Sequence, residues 1–398
     1  MEKKIKVLRI INRLNLGGPT YNVAILTKYL EPEFETRLMA GMKDPSEASS
    51  EHIIQSLNIV PTYVEDMHRS IHPIKDFKSY LEIKKIIREF QPDIVHTHAA
   101  KSGAIGRLAA LHCNVPIILH TFHGHVFHSY FSSMSTKLFL WIERYLAKRT
   151  SGIIAISNIQ KNELCDEFKI TSREKAFVIP LGFDLNKFKQ GSDEKRKDFR
   201  TKYGIKEDEV VISIVGRLVP IKNHSLFLNA VKIVKEQSSK KFRVMIVGDG
   251  ELRSHIESEA RNLGLSFDNQ NLIASTDITF TSWIQDIDVV NAGSDIICLS
   301  SLNEGTPVSL IEACASGKAI VTTNVGGIGD FIEDGKNGFL IEDNQPITFA
   351  NKILFLIENE SQRIQMGKYN QENIISLFSY TRLVNDIKLL YHKLLSKK

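Results

Sequence analysis

Short apolar runs alternate with helix-patterned segments along this chain in two separate series, and that rhythm limits the fold more than any other feature. In the first series the strand-like runs are Ile5–Ile11, Thr36–Ala40, Asp93–His98, Val115–Phe122, Gly152–Ser157 and Ala176–Pro180. Helical periodicity fills Ile74–Phe90 and Lys101–His112 between them. A strand, a helix and a strand in succession argue for a parallel, doubly wound sheet. The rhythm stops at Gly191–Tyr203, a dense charge run G-S-D-E-K-R-K-D-F-R-T-K-Y that reads as an exposed linker or short surface helix at a domain boundary. It then resumes with strands Val210–Val215, Arg243–Val247, Ile278–Thr281, Asp295–Leu299 and Lys318–Thr322. Helices fit Ser225–Glu236, Glu251–Leu263 and Pro307–Ala315, and Pro346 to Lys398 reads as helical throughout. Two doubly wound α/β units with a helical tail follow from this, and 398 residues suit two domains. Ligands in such sheets bind beyond the C-terminal strand ends, so residues just past strand ends are the ones to inspect.

Composition narrows the setting. Hydrophobic residues make up 42% and charged residues 24%, which is ordinary globular material. No apolar run approaches the length that spans a bilayer. Met1-Glu2-Lys3-Lys4 runs straight into a strand-like segment and does not read as a signal peptide. The four cysteines, Cys113, Cys165, Cys298 and Cys314, sit singly in apolar stretches, the pattern of reduced, buried thiols in cytosol. Through Gln190 the chain carries 26 Lys and Arg against 19 Asp and Glu, and beyond it 25 against 27. The basic first half points to anionic partners such as phosphates or a membrane surface, or to a plain surface bias.

Four strand ends carry candidate chemistry. Ile5–Ile11 leads into Asn15-Leu16-Gly17-Gly18-Pro19-Thr20 and a helix. Glycines there admit a ligand close to the backbone, Pro19 suits a first helical turn, and the helix start offers N–H groups to an anion. This is not G-x-G-x-x-G, so no dinucleotide site is indicated, and an ordinary turn would look the same. Val210–Val215 ends in Gly216-Arg217-Leu218-Val219-Pro220-Ile221-Lys222, where Arg217 offers a bidentate fork and Lys222 a mobile point charge to a diphosphate. The strongest signal is Ser300-Ser301-Leu302-Asn303-Glu304-Gly305-Thr306-Pro307-Val308-Ser309-Leu310-Ile311-Glu312-Ala313. There a strand ends, a loop carries Glu304 and Gly305, Pro307 opens a helix, and Glu312 stands among apolar neighbours in its second turn. One carboxylate can chelate ribose hydroxyls and the other can meet a sugar hydroxyl. Thr121-Phe122-His123-Gly124-His125 ends a strand and puts His123 and His125 at the sheet edge. His96, His98, His120, His123, His125 and His128 cluster in the first half, but no carboxylate or Cys spacing joins them into a metal motif. Asp286-Ile287-Asp288 has the form D-x-D, yet it lies away from a strand end and reads as helix-start charge.

At Glu304…Glu312 the segment E-G-T-P-V-S-L-I-E-A resembles the E-x7-E signature of retaining GT-B glycosyltransferases, in particular glycosyltransferase family 4. The Gly17-Gly18 loop, T-F-H-G at Thr121–Gly124, P-L-G-F-D at Pro180–Asp184, G-R-L-V-P-I-K at Gly216–Lys222, G-D-G at Gly248–Gly250 and V-G-G at Val325–Gly327 stand in the family's order. The resemblance implies a GT-B fold of two Rossmann-like domains facing across a cleft. It makes residues 1–190 the acceptor-binding domain, 191–204 a charged linker, 205–377 the donor-binding domain, and 378–398 a helix that crosses back to the first domain. It implies Arg217 and Lys222 on the donor diphosphate, Glu312 on the ribose, Glu304 on the transferred sugar, and Gly17 and Gly18 near the phosphates. Gly305, Thr306, Pro307 and Val308 would line the donor, and His123 would act over the sugar. His125 and Phe127 would lie towards the acceptor. It calls for no cofactor and no metal, because cations and helix dipoles stabilise the leaving diphosphate. Two positions depart from the family's commoner pattern: Asn223 follows Lys222, and Ser282 precedes Trp283, where glycine is frequent.

The expected activity is retaining transfer of a sugar, from a UDP-hexose or UDP-N-acetylhexosamine, to a glycan or lipid-linked saccharide in bacterial cell-surface polysaccharide assembly. The alternatives are a sugar-nucleotide 2-epimerase-like enzyme on the same fold and a catalytically silent nucleotide-sugar-binding protein. Nothing points to nucleic acid. The expected location is cytoplasmic, with an anionic membrane surface on the cytoplasmic face of the inner membrane as a candidate partner. That partner is suggested by Met134–Arg149, which places Leu138, Trp141, Ile142 and Tyr145 at helical spacing among Lys137, Arg144, Lys148 and Arg149. The same stripe could instead pack on the sheet as core.

Overall fold

A computed structural model describes residues 4–15, 17–43, 51–68, 70–124, 133–269 and 276–397, with the side chains of 133–136 left aside. His125 and Phe127 therefore lie outside the described residues. The chain divides into two compact units. Met1–Phe183 joins Phe378–Lys398 in the first, and Asp184–Leu377 forms the second.

The first unit is built on β1 (Ile5–Ile11), β2 (Phe34–Gly41), β3 (Thr62–Val64), β4 (Ile94–His98), β5 (Ile117–Phe122), β6 (Gly152–Ala155) and β7 (Ala176–Val178), in the order β3-β2-β1-β4-β5-β6-β7. Every pairing is parallel. The order reverses between β1 and β4, so the loops after those two strands flank the crevice where such sheets take ligands. The helix Tyr380–Leu395 closes one face of this sheet. Leu383, Ile387, Tyr391 and Leu394 join Val7, Leu26, Phe34 and Ile94 in one core cluster. Each such side chain contributes roughly 1.5–3 kcal/mol on burial. The helix is docked by backbone as well: Phe183 N–H donates to Phe378 O and Tyr380 N–H to Phe183 O, at 2.8 and 3.0 Å.

The second unit repeats the plan with β8 (Val210–Val215), β9 (Phe242–Val247), β10 (Phe267–Asp268), β11 (Ile278–Phe280), β12 (Ile296–Leu299), β13 (Ala319–Thr323) and β14 (Gly338–Ile341), ordered β10-β11-β9-β8-β12-β13-β14. Again all pairings are parallel. Its switch point lies between β8 and β12, the strands that lead into Gly216–Lys222 and Ser300–Glu312. The tail comprises three helices, Pro346–Glu358, Glu360–Phe378 and Tyr380–Leu395.

Three points depart from the sequence reading or decide between its alternatives. The division falls at Phe183 and Asp184, and of linker or short surface helix for the charge run 191–204 it is the helix that forms. Ser192–Lys202 is a helix of the second unit that buries Phe199 and Arg200. Arg200 donates to Asp295 Oδ2 at 2.7 Å, and Arg196 pairs with Asp295 Oδ1 at 3.0 Å. A buried cation anchors this segment where apolar content alone gave no sign of burial. Second, only Cys298 and Cys314 are buried; Cys113 and Cys165 are half-buried. Third, the helix Ser133–Arg149 does not turn its apolar stripe to the core. Leu138, Trp141 and Tyr145 are 57, 64 and 41% exposed. The inward face is Leu146, Ala147 and Glu143, the last held by Arg107 at 2.6 Å. Ile142 is half-buried between the two faces.

Candidate functional site

The loops past β8, β12 and β13 are tied to one another in the second unit. Leu302 N–H donates to Ile221 O at 2.8 Å, Ser300 Oγ to Lys222 O at 2.9 Å, and Gly327 N–H to Gly305 O at 2.7 Å. Thr323 Oγ1 donates to Ser301 O at 2.7 Å. Gly326 has φ of 58° and lies so close to the Glu304 carbonyl that a Cβ would sit 1.7 Å from its oxygen. Only glycine meets both demands. The segment around Glu304 is thus held by the two neighbouring loops, past β8 and past β13.

On that frame Glu304 Oε1 accepts from Lys222 Nζ at 2.5 Å and from Ser301 Oγ at 2.7 Å. The pair is largely shielded, with side chains 17 and 13% exposed. Lys222, predicted for a diphosphate, is therefore paired with Glu304. Arg217 on the same loop is exposed and makes no ion pair among the described residues. His224, at the start of the next helix, is pushed down to about 4 by burial and by the Lys222 charge, so it is neutral at pH 7.

The helix Val308–Ala315 starts after Pro307 with no side-chain cap. Its first N–H groups and the positive end of its dipole are thus available to an anion. Thr306 Oγ1 is buried with no partner among the described residues. Glu312, half-buried on this helix, is pushed up to about 7, chiefly by burial, with Lys187 opposing the shift and Asp288 adding to it. Glu304 and Glu312 share no hydrogen bond; one is tied to Lys222, and the charges that act on the other are those of Lys187 and Asp288. Asp288 in turn pairs with Lys195 at 2.9 Å and Lys187 at 3.8 Å, so this half of the D-x-D is engaged in ion pairs. Asp286 stands at the N-cap of the helix Ile287–Gly293.

The two departures from the common family pattern have local reasons. Asn223 takes φ of 47°, the left-handed conformation that Asn tolerates best after Gly. Ser282 uses its hydroxyl, donating to Asp249 Oδ2 at 2.8 Å.

In the first unit, Gly17 and Gly18 open the helix Gly18–Tyr29 past β1, again with no side-chain cap. Past β4 and β5 the histidines form a packed set. His96 Nδ1 meets Tyr391 Oη at 2.8 Å and its Nε2 meets Thr121 Oγ1 at 2.7 Å. His98 Nδ1 meets His123 Nε2 at 2.9 Å. Burial holds His123 down at about 3 and the other three rings, His96, His98 and His120, well below the usual range. All four are neutral at pH 7. No group of three His, Cys, Asp or Glu among the described residues is arranged as cation ligands. Sequence reasoning gave no role to Ser301, Lys187 or His98, each brought to its place by a strand pairing or a loop contact that spacing does not reveal.

Comparison with known proteins agrees with this geometry. The family described as Glycosyltransferase Family 4 matches residues 16–187, and Glycosyl transferases group 1 matches residues 195–373. The chain is 33% identical to UDP-Gal:alpha-D-GlcNAc-diphosphoundecaprenol alpha-1,3-galactosyltransferase of Escherichia coli, over 83% of this chain and 82% of that protein. It is 25% identical to the capsular polysaccharide biosynthesis glycosyltransferase CapM of Staphylococcus aureus, over 84 and 86%. HepE of Anabaena, solved in complex with UDP, superposes with a TM-score of 0.82 at 18% identity, over 98% of this chain and all of that one. The switch-point loops, the E-x7-E glutamates and these likenesses converge: the chain belongs to the family 4 (group 1) glycosyltransferases, on the two-domain Rossmann-like GT-B fold.

Proposed function

We propose that the chain transfers a hexose or N-acetylhexosamine from a UDP-sugar to a lipid-linked saccharide, with retention of configuration and without a metal ion, in cell-surface polysaccharide assembly. The observation that carries this reading is the cationic loop past β8 set beside Glu304 and an uncapped helix start, at the switch point of the second sheet. The relatives support the substrates. The Escherichia coli protein is named for UDP-galactose and a diphosphoundecaprenol-linked acceptor, and HepE was solved with UDP and glucose.

In this reading Arg217 and Lys222 take the diphosphate, and the N–H groups after Pro307 add a fixed dipole where leaving-group charge develops. Gly305, Thr306 and Val308 line the same turn, and Thr306 Oγ1 gains the partner it lacks. Glu312 accepts from the ribose hydroxyls. When the phosphates draw Lys222 away, Glu304 is freed to meet the transferred sugar. His123, Gly17 and Gly18 are assigned to the transferred sugar and the phosphates by the family resemblance alone. His125 and Phe127 are assigned to the acceptor side on sequence alone. The acceptor attacks on the face that the diphosphate leaves, through an oxocarbenium-like state. The supporting argument against a metal is that two cations and a helix dipole already supply positive potential there.

Membrane docking belongs to the same reading. No helix among the described residues is long and apolar enough to cross a membrane. The helix Ser133–Arg149, however, turns Leu138, Trp141 and Tyr145 outward, with Lys137, Arg144, Lys148 and Arg149 exposed around them. Such a face suits an anionic bilayer on the cytoplasmic side, each nearby cation adding about 1 kcal/mol, and it would bring the enzyme to a lipid-linked acceptor. A 2-epimerase or a silent binder would share the donor site but need no acceptor. The deciding experiment incubates the chain with a panel of nucleotide sugars, with and without a polyprenyl-diphosphate-linked N-acetylglucosamine. Glycosylated lipid formed from one UDP-sugar is the expected product. Acceptor-independent epimerisation, or binding with no turnover, would overturn the reading.

A further inference from the structure

The helix Pro73–Phe90 leaves large apolar side chains in solvent. Its inward residues Ile83, Ile87 and Phe90 pack with Leu8, Ile10 and Val95 of the first sheet. On the opposite side Ile74, Phe77 and Leu81 are 66, 61 and 49% exposed. At 3.6 residues per turn, Ile74, Lys78, Leu81, Lys85 and Arg88 fall on one outward stripe, with Phe77 beside it. Every residue of the stripe is exposed. The carboxylates of the helix stand off it: Asp76 is paired with Lys101, Glu82 is half-buried, and Glu89 pairs with Lys85 from the flank at 3.9 Å. Next to the stripe runs a groove of about 490 Å³, lined by Asp76, Phe77 and Tyr80 of this helix and by Ile105, Leu108 and His112 of the helix Ala100–His112. The polar groups of the lining are already engaged, Tyr80 Oη with His112 Nδ1 at 2.7 Å and Asp76 with Lys101. The rest of the lining is apolar.

This surface lies on the same face of the sheet as the helix Ser133–Arg149. Ile118 of β5 packs in the cluster that holds Ile83 and Ile87, and Phe122 packs with Ala147. Residues four apart on a strand point the same way. Ala100–His112 packs against both other helices and shows only its end residues Ala100 and His112 fully to solvent. Its neighbours therefore stand as two ridges, roughly 20 Å apart at ordinary helix spacing. Both ridges mix exposed aromatic and aliphatic side chains with exposed cations. A partner that meets both must be broad, apolar below its surface and anionic at it.

We propose that the helix Pro73–Phe90 is a second membrane contact: its outer stripe lies among the headgroups of an anionic bilayer, and the groove beside it seats one hydrocarbon chain of a bilayer lipid. The inference rests on the membrane docking proposed for Ser133–Arg149 and extends it to a separate helix. The long stems of Lys78, Lys85 and Arg88 reach headgroup phosphates while Ile74, Phe77 and Leu81 enter the acyl boundary. Two weak contacts on one rigid unit reinforce each other, so removing either weakens docking strongly.

Co-sedimentation with phosphatidylglycerol vesicles tests the stripe. The double variant Phe77→Ser, Leu81→Ser should lose about tenfold or more in partitioning at low salt. Lys78→Ser, Lys85→Ser should weaken binding at low salt and match the wild type at high salt. These side chains are exposed, so circular dichroism should not change. Wild-type binding by both variants overturns the second contact and leaves docking through Ser133–Arg149 standing. No binding by the wild type overturns both. The groove is tested with a single-Trp chain, Phe77→Trp with Trp141→Phe and Trp283→Phe, whose fluorescence should be quenched by vesicles with brominated acyl chains. Vesicle binding without quenching overturns the seating of a chain. A dimer in light scattering that Phe77→Ser dissolves would assign the face to a second copy of the chain and overturn the proposal. None of these readouts requires sugar transfer.

Discussion

Replacing Glu312 by Gln should make the protein more stable and a poorer binder at once. Burial pushes the Glu312 carboxyl up to about 7, from 4.5 in the free residue. That difference corresponds to about 3 kcal/mol, which solvent at this half-buried group reduces to on the order of 1–2 kcal/mol. The folded state holds the proton more tightly than the unfolded chain, so it is the charged carboxylate that opposes folding. The penalty is absent below about pH 4.5, grows as pH rises towards 7, and is constant above that. Glu312→Gln removes it. In urea melts the variant should match the wild type near pH 4.5 and exceed it by 1–2 kcal/mol at pH 8. The same variant should bind UDP more weakly by about 1.5–3 kcal/mol, the worth of hydrogen bonds to a charged group. A stability gain with no pH dependence would refute the burial argument. Unchanged UDP affinity would refute the ribose role.

Other consequences are simpler. Glu304→Gln should reduce kcat by about two orders of magnitude, in the range of a lost transition-state contact, while circular dichroism shows the fold retained. Transfer activity should survive excess EDTA; loss that added Mg2+ or Mn2+ restores would reject the metal-free scheme. Co-sedimentation with phosphatidylglycerol vesicles should occur at low salt, fall at high salt, and be lost in a Trp141→Ser, Lys148→Ser double variant. No binding at low salt would favour a soluble acceptor.

The alternating runs in the sequence marked the central strands of both sheets, because those strands are buried on both faces and read as continuous apolar stretches. Of the four edge strands only β7, within Ala176–Pro180, was legible. β3, β10 and β14 are two to four residues long, and Thr62–Val64 and Phe267–Asp268 carry too little apolar pattern to stand out. The charge run left linker and helix both open, since the Arg200–Asp295 pair that anchors it joins residues 95 apart. In Ser133–Arg149 periodicity picked out the outward stripe, because the inward face contains Glu143, whose partner Arg107 lies 36 residues away. Among the candidate site residues, Glu304 and Lys222 were named for separate roles, and their mutual ion pair is a product of the β8–β12 adjacency. The alternation of His96 and His98 placed them on one face of a strand, but the contact with His123 depends on β4 pairing β5. Spacing alone carries no register.

The central claim is that the loop past β8 holds the diphosphate of a nucleotide sugar. Calorimetric titration of UDP into the wild type, Arg217→Ala and Lys222→Ala tests it most directly. Wild type should bind, and each variant should lose about 1.5–3 kcal/mol, or roughly 10- to 150-fold in affinity. UDP affinity unchanged in both variants would contradict the account.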